Sequence, residues 1–333
     1  MNLTNLPESQ RIDLFNIAHD RTAISQVVLE KDWWVTSVLR ALFTLPYAEN
    51  LSFKGGTSLS KCWKLVERFS EDIDIAVNRE YLGFSGILSK TQIRDRLRRA
   101  SCAFVREKLQ YDIQKQLEIN GVNISEFSIN VNITPDSTTD PEIIEITYKT
   151  LFTDKYIKPI VKLEISGRSM NEQVRKIVLQ SILDETFPNT QVTEKPFEIN
   201  VVAPERTFLE KICLLHEEFT KPQKDIRSER MSRHLYDLER IMASPIAERA
   251  LKDKELYNSI VEHRRTFIRL KDFDYDTLVP KKIKIIPPEN VITQWQQDYE
   301  TMRGTMIYGD SLPFEKLIEK IQQLNEKINN FWL

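Results

Sequence analysis

The spacing of apolar positions along this chain changes character twice. Up to residue 43 it is helical: in EKDWWVTSVLRALF (30–43), Trp34, Val35, Val38 and Leu39 fall on one face, and the pattern predicts helix over 8–43, after Pro7. A short strand is predicted at 51–54. Leu59, Cys62, Trp63, Val66 and Phe69 then recur at helical intervals and predict a helix over 57–69. DIDIAV (72–77) reads as a strand and 90–119 as a charged helix. Beyond that the period falls towards two. FSINVNIT (127–134), EIIEITYKT (142–150), IKPIVKLEIS (157–166) and EKPFEINVVA (194–203) are strand candidates, with Pro135-Asp136 and Asp140-Pro141 as turn signals. From Pro204 onward helices dominate: 205–219, 229–242, 254–269, 289–301 and 313–330. No internal repeat or low-complexity segment interrupts them. The pattern predicts a mixed core over roughly 45–203 with helical segments before and after it.

Composition changes this picture little. A chain of 333 residues suits two domains, here 1–203 and 204–333. A net charge of −2 does not imply a broad nucleic-acid-binding face, while local basic patches stay open. Cys62, Cys102 and Cys213 are far apart, and Cys62 and Cys213 fall in apolar helical patterns, which reads as free thiols in a reducing compartment. MNLTNLPESQRIDLF lacks the basic-then-apolar pattern of a signal peptide, and no apolar run approaches ~20 residues. The expectation is a cytoplasmic protein without a membrane span.

The chemistry concentrates in FKGGTSLSKCWKLVERFSEDIDIAV (53–77). Glycine is scarce, 8 in the whole chain, yet two stand together here. Gly55-Gly56 lets the backbone turn tightly and approach a ligand. Thr57 or Ser58 is then expected to cap the following helix, whose N–H groups and dipole favour a phosphate. In the strand, Asp72 and Asp74 project to one face, about 7 Å apart at Cα. Carboxylates at that spacing can converge on divalent ions, and Mg²⁺ prefers few carboxylates plus substrate phosphates. A plain turn and an exposed strand face are the alternative for each half taken alone.

The segment resembles the nucleotidyltransferase signature, a G-[GS] before a helix followed by a D-x-[DE] strand. It is similar above all to the AbiEii/AbiGii toxin family of type IV toxin–antitoxin and abortive-infection systems, whose version carries an arginine and a serine upstream of the carboxylates, here Arg68 and Ser70. EKDWWVTSVLRALF (30–43), VKLEISGR (161–168), APERTFLEKICLLHEE (203–218), SRHLYDLERI (232–241) and DYETMRGTMIYGDSLPFEKLIEKI (298–321) resemble further family motifs in the same order. The resemblance implies an α+β, polymerase-β-like nucleotidyltransferase fold, a small mixed sheet with flanking helices, joined to a C-terminal helical region. It implies a toxin that transfers NMP from an NTP to an acceptor hydroxyl, with Mg²⁺ or Mn²⁺ as cofactor and a cognate antitoxin. Some members modify tRNA ends, so RNA is the expected acceptor. A small-molecule or protein acceptor, or a non-catalytic binding module on the same fold, remains the alternative.

Other site residues follow partly from position and partly from the resemblance. Glu164 shares a strand face with Lys162 and would be a third metal ligand or a base. Lys211 lies at the margin of the stripe Phe208, Ile212, Leu215 and Phe219, where it either reaches solvent or neutralises phosphate charge. Asp237 stands four residues after Arg233, which suits a surface ion pair, but the family has a functional aspartate there. The two would face each other across packed helices at the nucleotide pocket. Arg68 would bind phosphate or serve as a helix C-terminal cation. Basic runs at 93–108 and 281–284 are solvated faces or a path for a nucleic-acid acceptor, with Tyr236, Trp63 or Phe152 as stacking candidates.

Overall fold

Strand alternation builds the first part of the structure. The computed structural model describes residues 2–70, 72–89, 91–132, 142–154, 157–168 and 172–331, and these divide into two units. One comprises Met1–Cys62 and Glu71–Val202, the other Trp63–Ser70 and Ala203–Leu333. The first unit runs α1 (Glu8–Thr22), α2 (Gln26–Phe43), β1 (Leu51–Lys54), α3 (Gly55–Lys61), β2 (Asp72–Val77), α4 (Arg98–Phe104), α5 (Gln110–Ile119), β3 (Phe127–Asn132), β4 (Glu142–Tyr148), β5 (Ile160–Ser166), β6 (Val174–Leu179), α6 (Ile182–Thr186) and β7 (Phe197–Val202). Its seven strands form one mixed sheet in the order β3-β4-β5-β2-β1-β7-β6. Parallel pairing joins β2 to β5 and β1 to β7, and the other neighbours are antiparallel. Ile73, Ile75, Val161, Leu163, Ile165, Leu51 and Phe53 are buried on one face, and α2 packs against β5 and β7.

Three charged residues at the start of α2 fasten this unit internally. Glu30 accepts hydrogen bonds from Thr150 Oγ1 (2.6 Å) and Leu151 N (2.8 Å). Buried Lys31 donates to the carbonyls of Lys158 (2.7 Å) and Ile160 (2.5 Å), just before and at the start of β5. Asp32 pairs with Lys61 of α3 and accepts from Ile182 N at 2.8 Å.

The second unit is helical: α7 (Pro204–Phe219), α8 (Arg233–Met242), α9 (Pro245–Lys252), α10 (Lys254–His263), α11 (Ile292–Thr305) and α12 (Phe314–Phe331). The stripe on α12 is as predicted, with Leu317, Ile321, Leu324 and Ile328 buried.

Four departures from the sequence reading have local causes. The helix predicted over 8–43 breaks at Ala23, which takes left-handed backbone (φ 59°). The helix predicted over 57–69 begins two residues earlier and ends at Lys61. Lys64 is left-handed (φ 51°), and extended residues beyond it pair with another segment of the second unit: Phe69 N donates to Met306 O (2.8 Å) and Tyr308 N to Glu67 O (3.0 Å). The apolar residues Val66 and Phe69 are indeed buried, but from irregular chain. β6 was not anticipated, because an edge strand with Val174, Arg175, Lys176 and Val178 exposed shows no alternation. Nor was α9, whose start is marked by Pro245 at its first position and by Ser244 as N-cap. The predicted turns at 135–136 and 140–141 lie outside the described residues.

Candidate active site

The polar face of the sheet carries the acidic pair. On β2, Asp72 and Asp74 point away from the core and are half-buried. Parallel pairing with β5 sets Asp74 opposite Glu164 and Asp72 opposite Lys162, while antiparallel pairing sets Lys54 of β1 opposite Asp74. Lys162 lies 3.8 Å from Glu145 of β4. Residues opposite one another on adjacent strands have Cβ atoms about 5 Å apart on the same face. Asp72, Asp74 and Glu164 therefore occupy one patch of alternating charge. Among the described residues, no three His, Cys, Asp or Glu side chains already form a metal cage.

Gly55 fixes the position of one of these carboxylates. Its backbone is left-handed (φ +78°), and a Cβ placed on it would fall 2.7 Å from Asp74 Cγ and 3.2 Å from Asp74 Cβ, nearer still to Oδ2. The Asp74 carboxylate thus rests where any side chain at 55 would lie. The glycine pair opens α3 instead of preceding it, and the N-cap is Lys54, so neither Thr57 nor Ser58 caps the helix as the sequence suggested. Their hydroxyls serve the loop instead. Buried Thr57 donates through Oγ1 to the carbonyl of Asp72, tying α3 to β2, and buried Ser58 donates to Gly55 O at 2.8 Å. The groups that α3 offers a ligand at this end are first-turn backbone N–H groups, which have no intrahelical carbonyl. A pair of strand carboxylates beside a backbone cleared of side chain has the donor chemistry for a divalent cation that takes most of its ligands from phosphate and water.

The second unit gathers the other candidates around Asp237. Arg68 grips its carboxylate with two hydrogen bonds, Nε to Oδ1 at 2.6 Å and Nη2 to Oδ2 at 2.8 Å. Lys211 of α7 reaches the same Oδ2 at 2.8 Å across the contact between α7 and α8. Asp237 is fully buried, so it is not half of a surface pair with Arg233. Burial alone would raise its pKa, but the Arg68 and Lys211 cations outweigh that and hold it well below the usual carboxylate range. Burial draws Lys211 below its ordinary value against the pull of Asp237. His234, one turn before Asp237, stands 3.2 Å from Lys211 Nζ through Nδ1. Burial, then Lys211, push its pKa far down, so the imidazole is neutral and Nδ1 accepts. Tyr236 is buried, and its hydroxyl accepts from Glu67 N at 3.3 Å, which removes it as a stacking candidate.

The family model for the nucleotidyl transferase AbiEii toxin of type IV toxin–antitoxin systems matches residues 37–320. The chain belongs to the AbiEii family. The AbiEii match spans both units and makes the protein a nucleotidyltransferase toxin, an enzyme. No curated protein matches the chain. Among solved structures, it is similar to MenT4, a nucleotidyltransferase toxin from Mycobacterium tuberculosis, at 16% identity over 98% of each chain with a TM-score of 0.43. It is also similar to JHP933 from Helicobacter pylori, at 15% identity over 93% of this chain and 100% of that one with a TM-score of 0.36.

One residue and one bond of these two clusters escaped the sequence reading. His234 had a signal, since it lies three residues before Asp237 on one helix, but a lone histidine in a basic run draws no attention. The bond between Thr57 and the Asp72 carbonyl had none, because a hydroxyl donating to backbone 15 residues away leaves no trace in spacing. No described helix is long and apolar enough to cross a membrane.

Proposed function

We propose that this toxin transfers a nucleoside monophosphate from an NTP to a hydroxyl of RNA, with the 3′ end of tRNA as the intended acceptor, in the cytoplasm. The observation that carries the reading is the contact of Gly55 with Asp74: a left-handed glycine whose missing side chain makes room for a strand carboxylate, with Asp72 and Glu164 beside it. The acceptor oxygen attacks the α-phosphorus, the bond from that phosphorus to the bridging oxygen breaks, and pyrophosphate leaves. Glu164 takes the proton of the attacking hydroxyl. The backbone at Gly55 and Gly56 admits the polyphosphate close to the C-terminal end of β1, and Thr57 holds α3 against β2 so that the glycines and carboxylates keep their spacing. Mg²⁺ or Mn²⁺, held by Asp72 and Asp74, would neutralise charge on the transferring phosphoryl group; were Glu164 a third ligand instead of the base, the proton of the hydroxyl would pass to solvent. In the second unit, Arg68 and Lys211 place two cations against the single charge of Asp237. The excess positive charge suits phosphate binding by Lys211, with Arg68 and Asp237 fixing its position.

Incubation with each labelled NTP, Mg²⁺ and total RNA tests this. Label should enter RNA with the wild-type chain and not with Asp74→Asn. Label on protein or a small molecule would move the acceptor to another class, and unchanged transfer by Asp74→Asn would remove the carboxylate strand from the chemistry.

A further inference from the structure

We infer that a basic groove in the second unit, between the 281–284 segment and the end of α12, is a docking site for the phosphodiester backbone of single-stranded RNA. The inference rests on the reading of RNA as acceptor and adds a binding surface on the second unit to it. The groove measures about 580 Å³ and is lined by Lys281, Lys282 and Lys284, with Asn325 and Asn330 of α12 opposite and Glu326 as its acidic member.

The lysines sit on a backbone that is held, not on a slack loop. Asn329 of α12 brackets Ile283, accepting from its N–H at 3.1 Å and donating to its carbonyl at 3.0 Å. Asn325 accepts from Ile285 N at 3.1 Å. Between them, Lys284 N donates to His216 Nδ1 at 3.0 Å. That bond requires Nδ1 to be unprotonated, and the ring then donates through Nε2 to Thr277 Oγ1 at 3.0 Å. Ile283 and Ile285 are buried, so Lys282 and Lys284 are turned outward by alternation. Lys281 adopts φ +75°, a backbone state that a lysine rarely takes and that marks a constrained turn. Three ammonium groups on a fixed ridge, against the single carboxylate of Glu326, match a polyanion.

The test is binding of a labelled single-stranded RNA oligomer to the full chain across a range of KCl concentrations. It is run in wild type and in Asp74→Asn, so that binding is read without turnover and independently of whether RNA is the acceptor. The variant Lys281→Gln/Lys282→Gln/Lys284→Gln should weaken binding at least about tenfold and lower the salt slope by about 2, from three phosphate contacts. A control variant, Lys252→Gln/Lys316→Gln, removes exposed lysines elsewhere in the unit and should change neither. Unchanged thermal midpoints in both variants show that the fold is kept. A wild-type slope in the triple variant overturns the proposal. So does displacement of the oligomer by inorganic phosphate alone, which would make the groove a small-anion site, or by polyglutamate better than by unlabelled RNA, which would make it a protein-docking surface.

Discussion

At the scale of single residues, two contacts decide how the candidate sites are held. Gly55→Ala places a methyl group on the Asp74 carboxylate and forces an L-residue into left-handed backbone. The expected outcome is a loss of nucleotidyl transfer of about 100-fold, with a higher Mg²⁺ concentration for half-maximal rate, measured by titrating the metal at fixed NTP. A thermal midpoint lowered by only a few degrees would separate this from unfolding. Asp237→Ala instead leaves two buried cations without their carboxylate and should destabilise the chain by about 3–5 kcal/mol in denaturant unfolding. The sign with pH follows from the depressed pKa of Asp237. Its contribution is fully present above the unfolded carboxylate value of about 4 and is lost as pH falls through the folded value. Wild type should therefore lose stability in strong acid along a limb that Asp237→Asn lacks. The carboxylates and the glycine pair were legible in sequence because their chemistry needs those residue types at short spacing. Lys211 was also read as facing Asp237, and it does; the second partner, Arg68, was not legible, since it lies 169 residues away and only folding brings them together.

At the scale of elements, the core strands β1, β2, β4, β5 and β7 were readable where one face is buried and the other wet. β6 was not, because water reaches most of its residues. The helical stripe from Leu59 to Phe69 misled for a different reason. Burial periodicity reports which residues meet a core, and an irregular segment carrying Val66 and Phe69 inward satisfies the same spacing as a helix. The start of α2 shows the reverse error of intuition, since Glu30 and Lys31 look like surface charge and are buried fasteners of α2 to the strands. Lys31→Met keeps the length of the side chain but removes the buried donor shared by the carbonyls of Lys158 and Ile160, of which Lys158 O keeps its bond from Ile160 N. The expected cost is about 2–3 kcal/mol, read as a shifted urea midpoint.

At the scale of the whole molecule, the chain leaves the first unit after Cys62, contributes 63–70 to the second, and returns at 71. A boundary drawn at 203/204 misses that excursion, because eight residues carry too little pattern to show to which core they belong. A fragment beginning at Ala203 lacks Arg68, Val66 and Phe69. Its urea midpoint should fall below that of the same unit in the whole chain, measured with a tryptophan probe such as Trp295. The excursion also bears on how the toxin is made. During translation Arg68 emerges long before Asp237, and at about 5–20 residues per second the interval is roughly 10–30 s. Through that time the nascent polypeptide carries an arginine whose carboxylate has not been synthesised, while β2, directly downstream, still waits for β5. Products that end before residue 237 would lack the carboxylate that pairs with Arg68 and Lys211, and their second unit would have to form without its ion cluster.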